Sequence, residues 1–229
     1  MNVAIVVAAG RGSRAGAGRA KQFREIKGIP IIVRTLSRFE ACASIGEVVA
    51  VVPDGGEAET AALAAAHGLS KLARVVAGGE TRTESVRRGL DAAGPSAEVV
   101  AVHDGVRPFV TPGEIERVVR EAGLAGAAIL AAPVVDTVKE SGADSLVART
   151  LDRTRLWRAL TPQCFRADLL RRALDLAERL GLDATDCSSL VERLGAPVRI
   201  VEGSPDNIKI TTPHDFALAE ILLRGSCTE

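Results

Sequence analysis

Five apolar runs of strand length, at residues 3–9, 47–52, 74–77, 98–102 and 127–134, are each separated from the next by a stretch with helical spacing. That alternation leaves little choice of architecture. Strands that are apolar throughout are buried on both faces, and a strand–helix–strand connection returns beside its predecessor with a fixed hand. The expectation is an α/β fold, a Rossmann-like, mainly parallel sheet with helices on both faces. Helical patterns fall at 31–39, 57–67, up to about 93, and 112–124, with Pro30 where a first turn accepts proline. Past residue 134 the rhythm breaks. Residues 135–160 mix polar and apolar positions around the turn signal Ser141-Gly142-Ala143-Asp144, which predicts a protruding β-arm on a single domain spanning 1–229. Helices at 167–180, 186–194 and 213–223 and a strand at 198–201 complete the pattern.

Bulk properties narrow the function. A chain of 229 residues can bury a full core. Its formal net charge of +0 argues against a nucleic-acid partner gripped through the phosphate backbone. No apolar run reaches membrane-spanning length, and Met1-Asn2 offers no basic flank for a signal peptide, so the expected location is cytoplasmic, away from membranes. Cys42, Cys164, Cys187 and Cys227 are scattered without close pairs, which fits neither a disulfide framework nor a zinc site.

The chemistry starts where the first strand ends. Gly10-Arg11-Gly12-Ser13-Arg14 follows it at once, and Lys21-Gln22-Phe23 comes shortly after. Two glycines there let the backbone approach a ligand and aim N–H groups at it, while Arg11, Arg14, Arg19 and Lys21 bring positive charge. Donors plus cations at a strand end suit a polyphosphate. A Walker loop is excluded, because no Gly-Lys-Ser/Thr closes the segment. A dinucleotide fingerprint is formally present in Gly10, Gly12 and Ala15, but the next acidic strand end, Asp54, lies too far on to bind a ribose. A loop holding a nucleoside triphosphate through Arg and Lys remains.

Other strand ends carry matching polar segments. The third closes in Gly78-Gly79-Glu80-Thr81-Arg82, the fourth in Asp104 and Arg107, and the fifth in Asp136-Thr137. Open parallel sheets collect ligands on that edge, so these segments define one candidate cleft. A strand-end Asp can hold a magnesium ion bridging phosphates. No Ser-His-Asp or Cys-His pattern is evident, which favours direct displacement at phosphorus over a covalent intermediate. A phosphorylated co-substrate needs cations of its own, for which Arg153 and Lys209 are candidates.

Taken together, the motifs resemble the 2-C-methyl-D-erythritol 4-phosphate cytidylyltransferases, the CTP-using enzymes of the non-mevalonate isoprenoid pathway. The resemblance runs nearly end to end. It rests on Ala8-Ala9-Gly10-Arg11-Gly12-Ser13-Arg14 with Lys21-Gln22, Gly79-Glu80-Thr81-Arg82 through Ser85, and His103-Asp104-Gly105-Val106-Arg107-Pro108. Asp136-Thr137-Val138-Lys139, Leu151-Asp152-Arg153, Leu160-Thr161-Pro162-Gln163 and Asp206-Asn207-Ile208-Lys209 extend it.

The resemblance implies a nucleotidyltransferase fold of the glycosyltransferase-A type and a role for each matched position. Arg14 and Lys21 would stabilise the pentavalent phosphate as a sugar phosphate displaces pyrophosphate from CTP, with Arg153 and Lys209 completing the catalytic set. Ala8, Ala9, Gly10, Gly12, Gly79, Glu80, Arg82 and Ser85 would surround the nucleotide, and Asp104 would sit beside the ribose and Mg²⁺. Thr137, Arg153, Thr161 and Lys209, with Arg107 close by, would hold 2-C-methyl-D-erythritol 4-phosphate. Family members are homodimers whose arms embrace, so Thr137 and Arg153 would serve the partner's cleft. Where relatives often carry an acidic residue after Thr-Asp, this chain has Thr185-Asp186-Cys187.

Three competing functions are separable. A ribitol 5-phosphate cytidylyltransferase would share the amino-terminal loop, and Arg153 with the Asp-Asn-Ile-Lys run favours methylerythritol phosphate over it. A regulatory nucleotide binder has no need of Arg14 and Lys21 together. A dinucleotide oxidoreductase fails on the spacing given above.

Overall fold

The computed structural model describes residues 1–10 and 20–225. Its centre is a seven-stranded sheet built from β1 (Val3–Val7), β4 (Glu47–Val52), β5 (Leu72–Ala77), β6 (Val99–Asp104), β7 (Ala127–Pro133), β10 (Trp157–Arg166) and β11 (Arg199–Glu202), in the order β11-β7-β10-β6-β1-β4-β5. All of its pairings are parallel except those of β10, which runs antiparallel to both β6 and β7. The mainly parallel sheet is as the apolar runs imply. The short strands β2 (Glu25–Ile26) and β3 (Ile29–Pro30) form a separate hairpin just before α1 (Ile31–Glu40).

The uniform apolar character of the central strands has a direct cause. Alternate residues of each strand feed opposite layers. Ala4, Val6, Ala50 and Ala101 pack under α1, α2 (Glu57–Ala66) and α4 (Pro112–Ala125), whereas Val3, Ile5, Val49 and Val102 pack under α3 (Arg82–Ala93), α5 (Ala167–Leu180) and α6 (Ser188–Arg193). At about 1.5–3 kcal/mol for each buried Val, Ile or Leu, these layers are the main source of stability. The last helix, α7 (Pro213–Gly225), closes a smaller cluster through Ala219, with Ile26, Ile31, Val106 and Ile210. No described helix is long and apolar enough to cross a membrane.

Most boundaries shift by a residue or two, as where β5 starts at Leu72 rather than 74, and two differences bear on the site. The fourth strand continues to Asp104, so that carboxylate is the last strand residue, paired with Val7 of β1. The segment from Trp157 to Arg166 is a strand, although its Thr161-Pro162-Gln163 core is polar and carries a proline; a register shift between Ala159 and Gln163 accommodates the break in pairing. Between β7 and β10 the chain projects as a small hairpin, β8 (Lys139–Ser141) paired with β9 (Val147–Thr150).

Candidate active site

Chain order dictates where a ligand can enter. From β1 the chain builds outward through β4 to β5, then crosses to the other side of β1 to lay down β6. Crossovers therefore leave in opposite directions at β1 and β6, and a crevice opens beyond their carboxyl ends. Two glycines let the turns converge there. A Cβ on Gly105 would stand 2.7 Å from the Ala8 Cβ, and one on Gly78 would stand 2.1 Å from the Ala9 Cβ, both too close for real side chains. The resulting cavity, about 640 Å³, is lined by Val7, Ala8, Ala9, Gly10, Lys21, Gln22, Gly79, Glu80, Thr81, Arg82, Ser85, Asp104, Val106 and Lys209. A larger hollow of about 990 Å³ lies at the opposite end of the sheet, but its charges meet one another, as in Arg171–Asp91 at 3.0 Å and Arg166–Asp168 at 3.5 Å. The chemistry favours the smaller cavity.

Asp104 is the electrostatic centre. Only 7% exposed, it meets Lys209 Nζ at 2.9 Å and Arg107 Nε at 3.3 Å through Oδ2, and Arg82 Nη2 at 3.7 Å through Oδ1. Burial alone would raise its carboxyl, but Lys209, Arg82 and Arg107 outweigh that and hold it well below the usual carboxylate range. One negative charge faces three positive ones. That surplus around Asp104, in a cavity whose lining also holds Lys21 and Glu80, suits a polyanion.

Behind Asp104 a chain of oriented hydrogen bonds fixes the strand end. The Asp104 N–H donates to Thr161 Oγ1 (3.2 Å), which lies 3.0 Å from His103 Nδ1; His103 Nε2 lies 3.0 Å from the Arg107 carbonyl. Because a carbonyl can only accept, the proton sits on Nε2, and the Thr161 hydroxyl donates to Nδ1. Burial depresses the imidazole to about 4, so it stays neutral at pH 7. Asn207 adds the crossing tie: its amide donates to the Thr161 carbonyl (2.7 Å) and its own carbonyl accepts from Arg107 Nη1 (2.7 Å). Glu114 accepts from the Ser204 N–H at 2.6 Å, which anchors the segment that delivers Lys209.

The turn after β5 forms the opposite wall. Thr81 caps α3 by accepting from the Glu84 N–H, and the Ser85 hydroxyl accepts from the Gly79 N–H (3.1 Å) while donating to the Thr81 carbonyl (2.9 Å). Arg82 reaches from the first turn of α3 to Asp104 on one side and to Cys187 Sγ (3.3 Å) on the other. Burial raises the Cys187 thiol, so this contact is to a neutral acceptor. Gln163 accepts from the Cys187 and Ser188 N–H groups and donates to Asp186, which joins β10 to α6 beside Arg82.

Most of the residues singled out in the sequence meet in or against this cavity: Ala8, Ala9, Gly10, Lys21, Gly79, Glu80, Arg82, Ser85, Asp104 and Lys209 line it. Arg107 and Thr161 stand one layer back, bonded to Asp104. Thr137 and Arg153 are exposed on the arm, where Arg153 Nη1 donates to the Val135 carbonyl, and they do not line it. Gly12 and Arg14 lie outside the described residues. His103, Asn207 and Cys187 have structural parts in the site that their sequence motifs did not disclose. Gln22 is a further one: it is fully buried at the cavity wall, and its amide has no hydrogen-bond partner among the described residues. Its neighbours Lys21, Arg24 and Glu25 are polar, so the hydropathy pattern gave no sign of its burial.

A mostly parallel sheet with a cationic cavity at its switch point and one buried carboxylate has the make-up an α/β nucleotidyltransferase requires. Comparison with known proteins specifies the kind. The family model for 2-C-methyl-D-erythritol 4-phosphate cytidylyltransferase (IspD) matches residues 2–225, and this chain belongs to that family. A protein of that name from Pelotomaculum thermopropionicum is 46% identical over 223 residues, which cover 97% of this chain and 94% of the relative. Another, from Symbiobacterium thermophilum, is 44% identical over 219 residues, 96% of this chain and 91% of the relative. Among solved structures, 2-C-methyl-D-erythritol 4-phosphate cytidylyltransferase from Thermus thermophilus superposes with a TM-score of 0.79 at 36% identity, covering 98% of this chain and 100% of the other. The 4-diphosphocytidyl-2C-methyl-D-erythritol synthase of Anaerococcus prevotii gives 0.85 at 28% identity, covering 97% and 98%.

Proposed function

We infer that this chain transfers a cytidylyl group from CTP to 2-C-methyl-D-erythritol 4-phosphate. A phosphate oxygen of the sugar phosphate attacks the α-phosphorus of CTP; the bond from that phosphorus to the bridging oxygen breaks, and pyrophosphate leaves with the electron pair. The observation that carries this reading is the surplus of positive charge around Asp104 in a cavity at the strand-order switch point. Displacement at phosphorus asks chiefly for positioning and for neutralising charge on the equatorial oxygens, and fixed cations in a partly enclosed site supply both.

Each residue has a defined task. Lys21 neutralises the α-phosphate as it becomes five-coordinate, with Arg14 assigned the same work from the preceding loop. The backbone of Ala8, Ala9, Gly10, Gly79 and Glu80, with Ser85, encloses cytosine and ribose, while Arg82 faces the nucleotide phosphates. Lys209, oriented by Asp104 and backed by Arg107 and Thr161, receives the sugar phosphate. Asp104 is also the protein ligand best suited to a magnesium ion. A single carboxylate is enough where substrate phosphates supply further oxygens, and the described residues hold no cluster of three or more His, Cys, Asp or Glu that would bind a metal unaided. Such an ion would neutralise triphosphate charge.

Thr137 and Arg153 are assigned to the cleft of a second copy of the chain, reached through the arm. Val135, Leu146, Val147 and Trp157 are exposed apolar residues on or at the base of that arm, which supports a homodimer contact there. The decisive experiment incubates the protein with CTP, Mg²⁺ and a panel of polyol phosphates and follows pyrophosphate release. Release with 2-C-methyl-D-erythritol 4-phosphate and little with ribitol 5-phosphate is expected; the reverse preference would overturn the assignment. A monomeric mass by light scattering would overturn the arm's assigned role.

A further inference from the structure

We propose that Glu84, held by Arg88, determines which nucleotide base the cavity accepts. The inference rests on the cytidylyltransferase reading above and concerns two residues outside the cavity lining. Glu84 is the third residue of α3, where a capping glutamate usually reaches back to the N-cap N–H. Here it reaches one residue further: Glu84 Oε2 accepts from the Glu80 N–H at 2.8 Å. Arg88 fixes that carboxylate from the next turn, with Nη2 on Glu84 Oε1 at 2.5 Å and Nη1 on the Gly78 carbonyl at 3.0 Å. Gly79 makes room for it. A Cβ at that position would fall 2.2 Å from Glu84 Cδ, although the Gly79 backbone itself needs no glycine-specific conformation.

The consequence is an account of donors and acceptors on one wall. The Gly79 N–H is taken by Ser85 Oγ, the Glu80 N–H by Glu84, and the Gly78 carbonyl by Arg88. The Ser85 hydroxyl both accepts and donates within the turn. Among the described residues no hydrogen bond ends on the Gly79 or Glu80 carbonyl. The stretch of residues 78–80 therefore offers a base only acceptors, since the Gly78 N–H is also taken, by the Val52 carbonyl at 2.8 Å. Cytosine carries an exocyclic amino group at C4, which donates; uracil carries an oxygen there, which would face carbonyl oxygens with no donor between them. Unpaired polar groups of that kind are what make a site reject a near-isosteric ligand. Without Glu84 the Glu80 N–H is released and can donate to the uracil oxygen.

The test measures kcat/KM with CTP and with UTP at fixed 2-C-methyl-D-erythritol 4-phosphate, and the dissociation constant of each nucleotide by calorimetry. Glu84→Ala should narrow the CTP/UTP ratio by about tenfold, chiefly through a gain with UTP, the scale of one hydrogen bond of about 1.4 kcal/mol. Glu84→Gln keeps an acceptor and should preserve the ratio. Gly79→Ala displaces the Glu84 side chain and should reproduce the alanine variant, which guards against a folding artefact of one substitution. An unchanged ratio in both Glu84→Ala and Gly79→Ala would overturn the inference while leaving the cytidylyltransferase assignment intact. A wild-type protein that bound neither nucleotide would overturn both.

Discussion

Lys209 Nζ lies 2.9 Å from Asp104 Oδ2, so the last cation of the site is contributed by a segment that follows the final strand of the sheet. The segment does not hang free. Asn207 bonds to Thr161, the Ser204 N–H bonds to Glu114, and the Ile210 N–H bonds to the Val106 carbonyl at 2.9 Å. Lys209 is therefore delivered by hydrogen bonds on either side of it, and Asp104 orients its tip.

Replacing Asp104 by Asn should expose what that carboxylate balances. Lys209, Arg82 and Arg107 would lose their shared partner, and removing one member of a buried ionic group costs about 3–5 kcal/mol. For a domain of this size the melting temperature should fall by on the order of 10 °C. Millimolar pyrophosphate should raise the melting temperature more in the variant than in the wild type. Equal melting temperatures without ligand would contradict the ion-pair account.

Lys21→Ala should lower kcat by a factor on the order of 10² to 10³ with the fold intact, the scale for losing one charge contact made in the transition state. Circular dichroism and steady-state kinetics check it together. A variant turning over at the wild-type rate would remove Lys21 from the mechanism.

Arg153→Ala should raise KM for 2-C-methyl-D-erythritol 4-phosphate at least tenfold, on the order of one lost charge-assisted hydrogen bond, and leave CTP affinity nearly unchanged. Calorimetric titration with CTP alongside sugar-phosphate kinetics separates the two. If CTP affinity collapsed while sugar-phosphate KM held, the arm would have been given the wrong task.

The neutral, buried His103 predicts a pH-dependent stability with a definite sign. Its folded value is about 4, against an ordinary value of about 6.5 in the unfolded chain. Between those limits the unfolded state binds the extra proton, so stability falls as pH drops from about 6.5 towards 4 and the loss levels off below. The contribution should cost about 2 kcal/mol at pH 5 relative to pH 7. Urea unfolding at both pH values measures it. His103→Gln should flatten the slope whatever its effect on stability at pH 7; an undiminished slope would show that other groups carry it.

Much of this architecture was legible because both faces of the central strands are buried. Val3–Val7 and residues 48–52 are uniformly apolar, and their length and β-branched content mark them as strands buried on both faces. The strand β10 escaped notice for the opposite reason. Thr161, Pro162 and Gln163 look like a turn in sequence, yet they are buried, because Thr161 serves His103 and Gln163 serves the start of α6. The cavity's edge could be foreseen, since ligands gather at the carboxyl ends of parallel strands. Its connections could not: nothing in the spacing joins Arg82 to Cys187 or His103 to Thr161, pairs far apart in the chain that the sheet order alone makes neighbours.

The Val134 N–H bonds to the Leu156 carbonyl at 3.1 Å, so the projecting hairpin leaves the sheet and rejoins it at a single closed doorway. Everything beyond that doorway is an inserted excursion between two strands that already pair. A chain trimmed to a short reverse turn at this point should keep the sheet and the cavity around Asp104, because the ties that hold them lie outside the excursion, whose length and tip can therefore drift without disturbing the floor it stands on.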